Sequence, residues 1–117
     1  MTATRREKNR AATIEEIKGA ALSQITSEGV GGLTLRGIAR EIGMSPAGLY
    51  RYYDGLDAII TELITDAYTV LADAVTAAMA TDASATDRLR DGMLAYRQWS
   101  VDHRNRFLLI FGTPIPG

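Results

Sequence analysis

No proline occurs between Pro46 and Pro114. That long span is rich in Ala, Leu, Ile and Asp, and no alternation of β-branched residues breaks it. It therefore reads as helix throughout, because each interior proline would cost a backbone hydrogen bond and no strand period competes. The chain is thus expected to be all-α.

Composition narrows the chemistry. The 117 residues carry 46% hydrophobic and 23% charged side chains, near the average for a folded domain. There is no cysteine, which removes disulfides, thiol nucleophiles and the commoner structural zinc sites. One histidine, His103, leaves little for metal chemistry, and its better reading is a helix-capping or surface residue. No nucleophile–base set is visible, so an enzyme is not expected, nor any metal or cofactor. The longest apolar run, Phe107-Leu108-Leu109-Ile110-Phe111, is too short to cross a membrane. The charged N-terminus has no apolar stretch behind it, unlike a secretory signal, and the expected location is the cytoplasm.

The formal net charge of −1 hides an asymmetry. Residues 1–53 hold eight Lys or Arg against five Asp or Glu, whereas residues 54–117 hold five against nine. A basic half followed by an acidic half suggests a polyanion-facing N-terminal part, although chance alone can produce such a swing.

Local signals divide the first half into three short helices. Thr13-Ile14-Glu15-Glu16 has the form of a capping box, placing a helix start at residue 13. Ile14, Ile17, Ala21 and Ile25 then repeat at helical spacing until Gly29. Thr34 caps a second helix whose Leu35, Ile38, Ala39 and Ile42 share a face, and Gly43 stops it. Ser45-Pro46 opens a third helix, expected over 46–53, with Ser45 as cap and Pro46 where its missing N–H costs nothing. Two short helices joined by a glycine-containing turn form a helix-turn-helix.

In that motif Leu49 and Tyr53 are expected to point into the core with Ile38 and Ile42. Ser45, Pro46, Ala47, Gly48, Tyr50, Arg51 and Tyr52 then lie outward or sideways. Ala47 and Gly48 lack bulk, so the third helix can approach base edges in a major groove. Tyr50 and Tyr52 can donate hydroxyls to phosphates, and Arg51 offers a bidentate fork to guanine or phosphate. The bland alternative is a helical hairpin with two exposed tyrosines. Residues 1–12, with Arg5, Arg6, Lys8 and Arg10, read as a basic, disordered-looking arm able to follow a DNA backbone or enter a minor groove.

Beyond residue 55, helices are expected over about 56–80, from Ala85 to about Asp102, and over 104–111. The first carries an apolar stripe from Leu56 through Ile59, Ile60, Leu63, Ile64, Ala67, Leu71 and Val75 to Met79. The closing residues 113–117 cannot continue a helix. Tyr68, Met93, Tyr96, Trp99, Phe107 and Phe111 are candidates to line an apolar ligand pocket, or else are ordinary core.

The stretch from Ile14 to Tyr53 resembles the DNA-binding domain of TetR-type transcriptional regulators. The resemblance rests on Ile17 and Ala21, Gly29, Leu33-Thr34-Leu35-Arg36, Ile38-Ala39-Arg40-Glu41, Gly43-Met44-Ser45 and Leu49-Tyr50-Arg51-Tyr52-Tyr53. It implies phosphate contacts around Thr34 and Arg36, base reading by the third helix, and backbone contacts from Tyr50 and Tyr52. Such regulators usually place a lysine near the start of the fourth helix. Here Leu56 stands there, beside Asp54 and Asp57, and weaker nonspecific DNA binding is expected unless the arm compensates. Trp99, His103 and Gly112 are similar to the pattern of the WHG-type subgroup.

The resemblance implies three segments: the arm (1–12), a helix-turn-helix domain (13–54) and a partial effector-binding and dimerisation domain (55–117). It also implies a homodimer on a pseudo-palindromic operator, acting as a repressor released by a small apolar ligand. In this family the dimer interface comes mainly from helices later than residue 117, so the sequence is expected to be part of a longer regulator. The competing reading is a helical ligand- or protein-binding module whose helix-turn-helix no longer binds DNA.

Overall fold

The computed structural model describes residues 4–112, and over them the chain is helical with no strand. Six α-helices follow one another: α1 (Arg5–Glu28), α2 (Leu35–Ile42), α3 (Pro46–Leu49), α4 (Leu56–Met79), α5 (Ala85–Asp102) and α6 (Arg104–Gly112). Residues 113–117, expected to lie beyond the last helix, fall outside the described residues.

The start of α1 corrects the expected boundary. The capping box that operates is Thr4-Arg5-Arg6-Glu7: the Glu7 N–H donates to the Thr4 hydroxyl oxygen and the Thr4 N–H to the Glu7 carboxylate, both at 3.1 Å. Residues 5–12 are therefore the first turns of α1, not a disordered arm. Thr13 lies inside the helix, where its hydroxyl donates to the Asn9 carbonyl at 2.9 Å. Two T-x-x-E sequences stand nine residues apart, and the arginine-rich link between them consists mostly of good helix formers. A fully capped start at Thr4 needs no second one.

At its other end α1 stops where expected. Gly29 adopts φ 78° and ψ 169°, a conformation open essentially to glycine alone, and its N–H donates to Ile25. A single 3-10 turn, Val30–Gly32, then delivers the buried Leu33.

The helices group into two compact units, one reaching Leu63 and the other beginning at Ile64. In the first, Ile17, Ile38, Leu49 and Ile59 are almost wholly shielded from solvent, joined by Ala21, Ile25, Ala39 and Tyr53. Each of the buried isoleucine and leucine side chains contributes about 1.5–3 kcal/mol by leaving water. α1 packs on α2, and α2 on α3. At the α1–α2 crossing, a Cβ on Gly37 would come within 2.9 Å of the Gln24 side-chain oxygen, so only glycine fits without displacing Gln24. Lys18 of α1 reaches Glu62 of α4 at 3.3 Å.

The second unit is centred on Ala67, Leu71, Trp99 and Ile110, with Ala74, Val75 and Phe107 packed against them. Ser84 caps α5 by accepting from the Asp87 N–H at 3.2 Å. Gly92 permits a close approach to α4, since a Cβ there would lie 2.7 Å from the Met79 sulfur. His103 is the C-cap of α5; its N–H and its Nδ1 both approach the Trp99 carbonyl, at 2.8 and 3.2 Å, and its ring stacks on the indole.

Candidate nucleic-acid interface

Each of the two short helices begins with a hydroxyl cap. The Gly37 N–H donates to the Thr34 oxygen at 2.9 Å, and the Gly48 N–H to the Ser45 oxygen at 3.1 Å. These bonds use the hydroxyl oxygens as acceptors, and each exposed hydroxyl keeps its hydrogen to donate outward. The turn between α2 and α3 is set by Gly43 at φ 70° and ψ 32°, with the Met44 N–H returning to the Ala39 carbonyl at 2.9 Å. That left-handed residue satisfies the end of α2 and lets Ser45 start a new helix immediately.

α3 is shorter than expected, ending at Leu49 instead of Tyr53. Tyr50 is its C-cap, and the Tyr52 and Tyr53 N–H groups both return to the Leu49 carbonyl, at 2.9 and 3.0 Å. A single helical turn has too few internal bonds to propagate, so Tyr50, Arg51 and Tyr52 sit on the turn that follows it. Leu49 and Tyr53 are buried as expected, whereas Tyr50 is 56% exposed, Arg51 is exposed and Tyr52 half-buried. Thr34, Arg36, Ser45, Pro46 and Ala47 are all exposed. Gly48 is half-buried, and a Cβ on it would meet the Met44 side chain at 3.0 Å. Its lack of bulk therefore serves packing against Met44, and Ala47 alone presents a small outward residue.

The sequence reading missed a cleft on the same unit. Arg5, Arg6, Asn9, Arg10 and Thr13 of α1 line it together with Tyr52, enclosing about 560 Å³. The Arg10 guanidinium carbon stands 5.0 Å from the centre of the Tyr52 ring. Lys8, read with these arginines as one arm, is not among the lining residues. The signal for the cleft was the helical spacing of residues 6, 9, 10 and 13, which becomes visible only once α1 is known to start at Thr4. A second concavity, of about 500 Å³ around Asp54, Gly55, Leu56, Asp57 and Ala58, is acidic.

In the second unit an open apolar groove of about 300 Å³ runs between α4 and α5, lined by Val75, Met79, Leu89, Gly92, Met93 and Tyr96. Of the side chains expected around a ligand, Met93 and Tyr96 border this groove. Tyr68, Tyr96 and Phe107 surround Phe111 at ring separations of 6.2, 6.4 and 4.9 Å. Trp99 is core, 5% exposed, and its indole N–H has no acceptor among the described residues. No group of acidic, histidine or cysteine side chains suited to a metal occurs among the described residues. No described helix is long and apolar enough to cross a membrane.

Two capped short helices joined by a glycine turn, with exposed polar side chains on both, define a helix-turn-helix protein. The model for bacterial regulatory proteins of the tetR family matches residues 11–63. The HTH-type transcriptional regulator Rv1816 of Mycobacterium tuberculosis is 39% identical over 98 residues, which cover 80% of this chain and 41% of the relative. The crystal structure of SCO4313 superposes with a TM-score of 0.84 at 46% identity, covering 97% of this chain and 54% of that one. A tetR-family regulatory protein from Rhodococcus RHA1 gives a TM-score of 0.74 at 29% identity, over 83% of this chain and 51% of that one. The chain belongs to the TetR family of bacterial regulatory proteins, and it spans about half the length of the relatives it matches.

Proposed function

We propose that this chain is the DNA-reading part of a transcriptional repressor that acts in the cytoplasm as a homodimer on a pseudo-palindromic operator. The observation that carries the reading is the set of exposed donors on one motif. The capping hydroxyls of Thr34 and Ser45 keep their hydrogens outward, alongside the exposed Arg36, Tyr50 and Arg51. Thr34, Arg36, Tyr50 and Tyr52 hold phosphates, while Ser45, Pro46, Ala47 and Arg51 face base edges and Gly48 packs behind them on Met44. Two copies then read half-sites about 34–36 Å apart or a multiple of that.

The effector is a small apolar molecule. The groove beside Met93 and Tyr96 supports this, being almost entirely apolar and of a volume at the lower end of ligand sites, roughly 300–1,000 Å³. Release follows if the ligand binds the DNA-incompetent spacing of the two heads more tightly than the competent one. Thermal-shift screening of apolar compounds tests this part separately.

Gel shifts with fragments from upstream of the protein's own gene test the DNA reading. Tyr50→Ala and Arg51→Ala should abolish the shift while helicity is retained. Absence of any shift at low salt would favour the alternative, a ligand- or protein-binding helical module whose motif no longer binds DNA. The exposed Asp54 and Asp57 flanking Leu56 are the observation on that side.

A further inference from the structure

We propose that Arg10, lying over the ring of Tyr52, completes a seat for one backbone phosphate of duplex DNA in the cleft lined by the first turns of α1. The proposal rests on the DNA-binding reading above and gives that reading an anchoring point outside the helix-turn-helix.

Three observations converge on the cleft. Thr4 caps α1, so the arginines at its start are held on an ordered helix, and Arg6, Asn9, Arg10 and Thr13 follow one face at spacings of three and four. Three guanidinium groups, those of Arg5, Arg6 and Arg10, line the cleft, and no carboxylate does. The nearest acid in sequence, Glu7, is turned back onto the Thr4 N–H at 3.1 Å. None of the three arginines makes an ion pair among the described residues. Like charges gathered without a counterion repel, and an anion among them removes that cost.

The third observation is the stacking itself. At 5.0 Å from the ring centre, the Arg10 guanidinium is within cation–π range. A planar guanidinium held against an aromatic face keeps its N–H donors free for an acceptor with two oxygens, such as a phosphate. The half-buried Tyr52 thereby fixes Arg10, and Arg10 in turn limits where the phenol can lie. A tether alone would need neither Arg5, Arg6 nor the Asn9 amide in the same cleft. The neighbouring concavity at the start of α4 carries Asp54 and Asp57 instead, and so repels a phosphate. Of these two concavities the basic cleft is the favourable one for a phosphate.

The test uses fluorescence anisotropy of the full chain on a labelled mixed-sequence duplex of about 20 base pairs across a salt series. Arg10→Gln should reduce the slope of log K against log salt by about 0.9, the value for one lost phosphate contact. Tyr52→Leu should reduce the slope similarly although it removes no charge, and the double variant should lose no more than either. Tyr52→Phe, which keeps the ring, should retain the slope. Arg10→Lys should recover only part of the affinity, because a point charge replaces a stacked fork. A purely structural role would lower thermal stability without moving the slope. An unchanged slope in Arg10→Gln, with wild-type protein binding normally, overturns the seat and leaves the helix-turn-helix reading standing. No binding by wild-type protein at low salt overturns that reading and the seat together.

Discussion

The side-chain Nε–H of Arg88, in the first turn of α5, donates to the carbonyl oxygen of Met79, the last residue of α4, at 2.8 Å. The final carbonyls of a helix lack internal partners, and a cation beside them also meets the negative end of the helix dipole. Because this contact is solvent-exposed, its worth falls in the range of about 0.5–1.5 kcal/mol. Arg88→Ala should therefore lower the stability of the second unit by about 1 kcal/mol, with Arg88→Lys recovering part of it. Trp99 is the one tryptophan in the chain and lies in that unit's core, so urea unfolding followed by its fluorescence reads the effect directly. An unchanged midpoint would show that water caps α4 equally well.

Gly19 and Gly43 should respond to alanine in opposite directions. Gly19 is exposed inside α1, and a Cβ there would meet no atom of another segment. Gly19→Ala should stabilise by about 0.8–1 kcal/mol, the helix-propensity difference. Gly43 also has open space, yet its φ of 70° is strained for any residue with a Cβ. Gly43→Ala should destabilise by about 1 kcal/mol, and thermal melts of the two variants give the comparison.

Ser45 allows stability to be separated from binding. Ser45→Ala removes the hydroxyl that accepts from Gly48 and should cost about 0.5–2 kcal/mol. Ser45→Asp restores a cap of similar strength but places a negative charge on the proposed DNA face. The aspartate variant should melt like wild type and bind duplex DNA more than tenfold more weakly. Equal DNA affinity for wild type and Ser45→Asp would remove the start of α3 from the interface.

Much of this organisation is legible in the sequence because strong local chemistry and burial coincide. Ser45-Pro46, Gly43 and Gly29 each have a single good backbone solution, and the stripe from Ile59 to Leu71 supplies core to both units. The start of α1 was hidden because residues 4–12 are exposed on every side, leaving no apolar period to mark a helix. The Arg10–Tyr52 contact was hidden for a related reason. It joins residues far apart in sequence through a cleft that exists only when those first turns are helical. Trp99 illustrates a different limit: aromatic residues on an amphipathic helix look alike until packing separates the buried Trp99 from the exposed Phe111.

Leu56 offers the most direct test of how the fourth helix meets DNA. It is the first residue of α4, half-buried, with exposed Asp54 and Asp57 close by in the chain. Leu56→Lys removes some apolar contact and puts a cation at the positive end of a helix dipole, each unfavourable to folding. Together these should lower stability by about 0.5–1 kcal/mol. Against DNA the same change acts in the opposite sense. The lysine stem can lie along the surface Leu56 now covers, while its ammonium offsets the local acidity and reaches for a phosphate. Nonspecific affinity at low salt should rise several-fold, and the slope of log K against log salt should steepen by up to about 0.9. A slope raised in Leu56→Lys and lowered in Arg10→Gln would place both positions along one DNA backbone track. An unchanged affinity and slope in Leu56→Lys would mean that the start of α4 does not approach DNA at all.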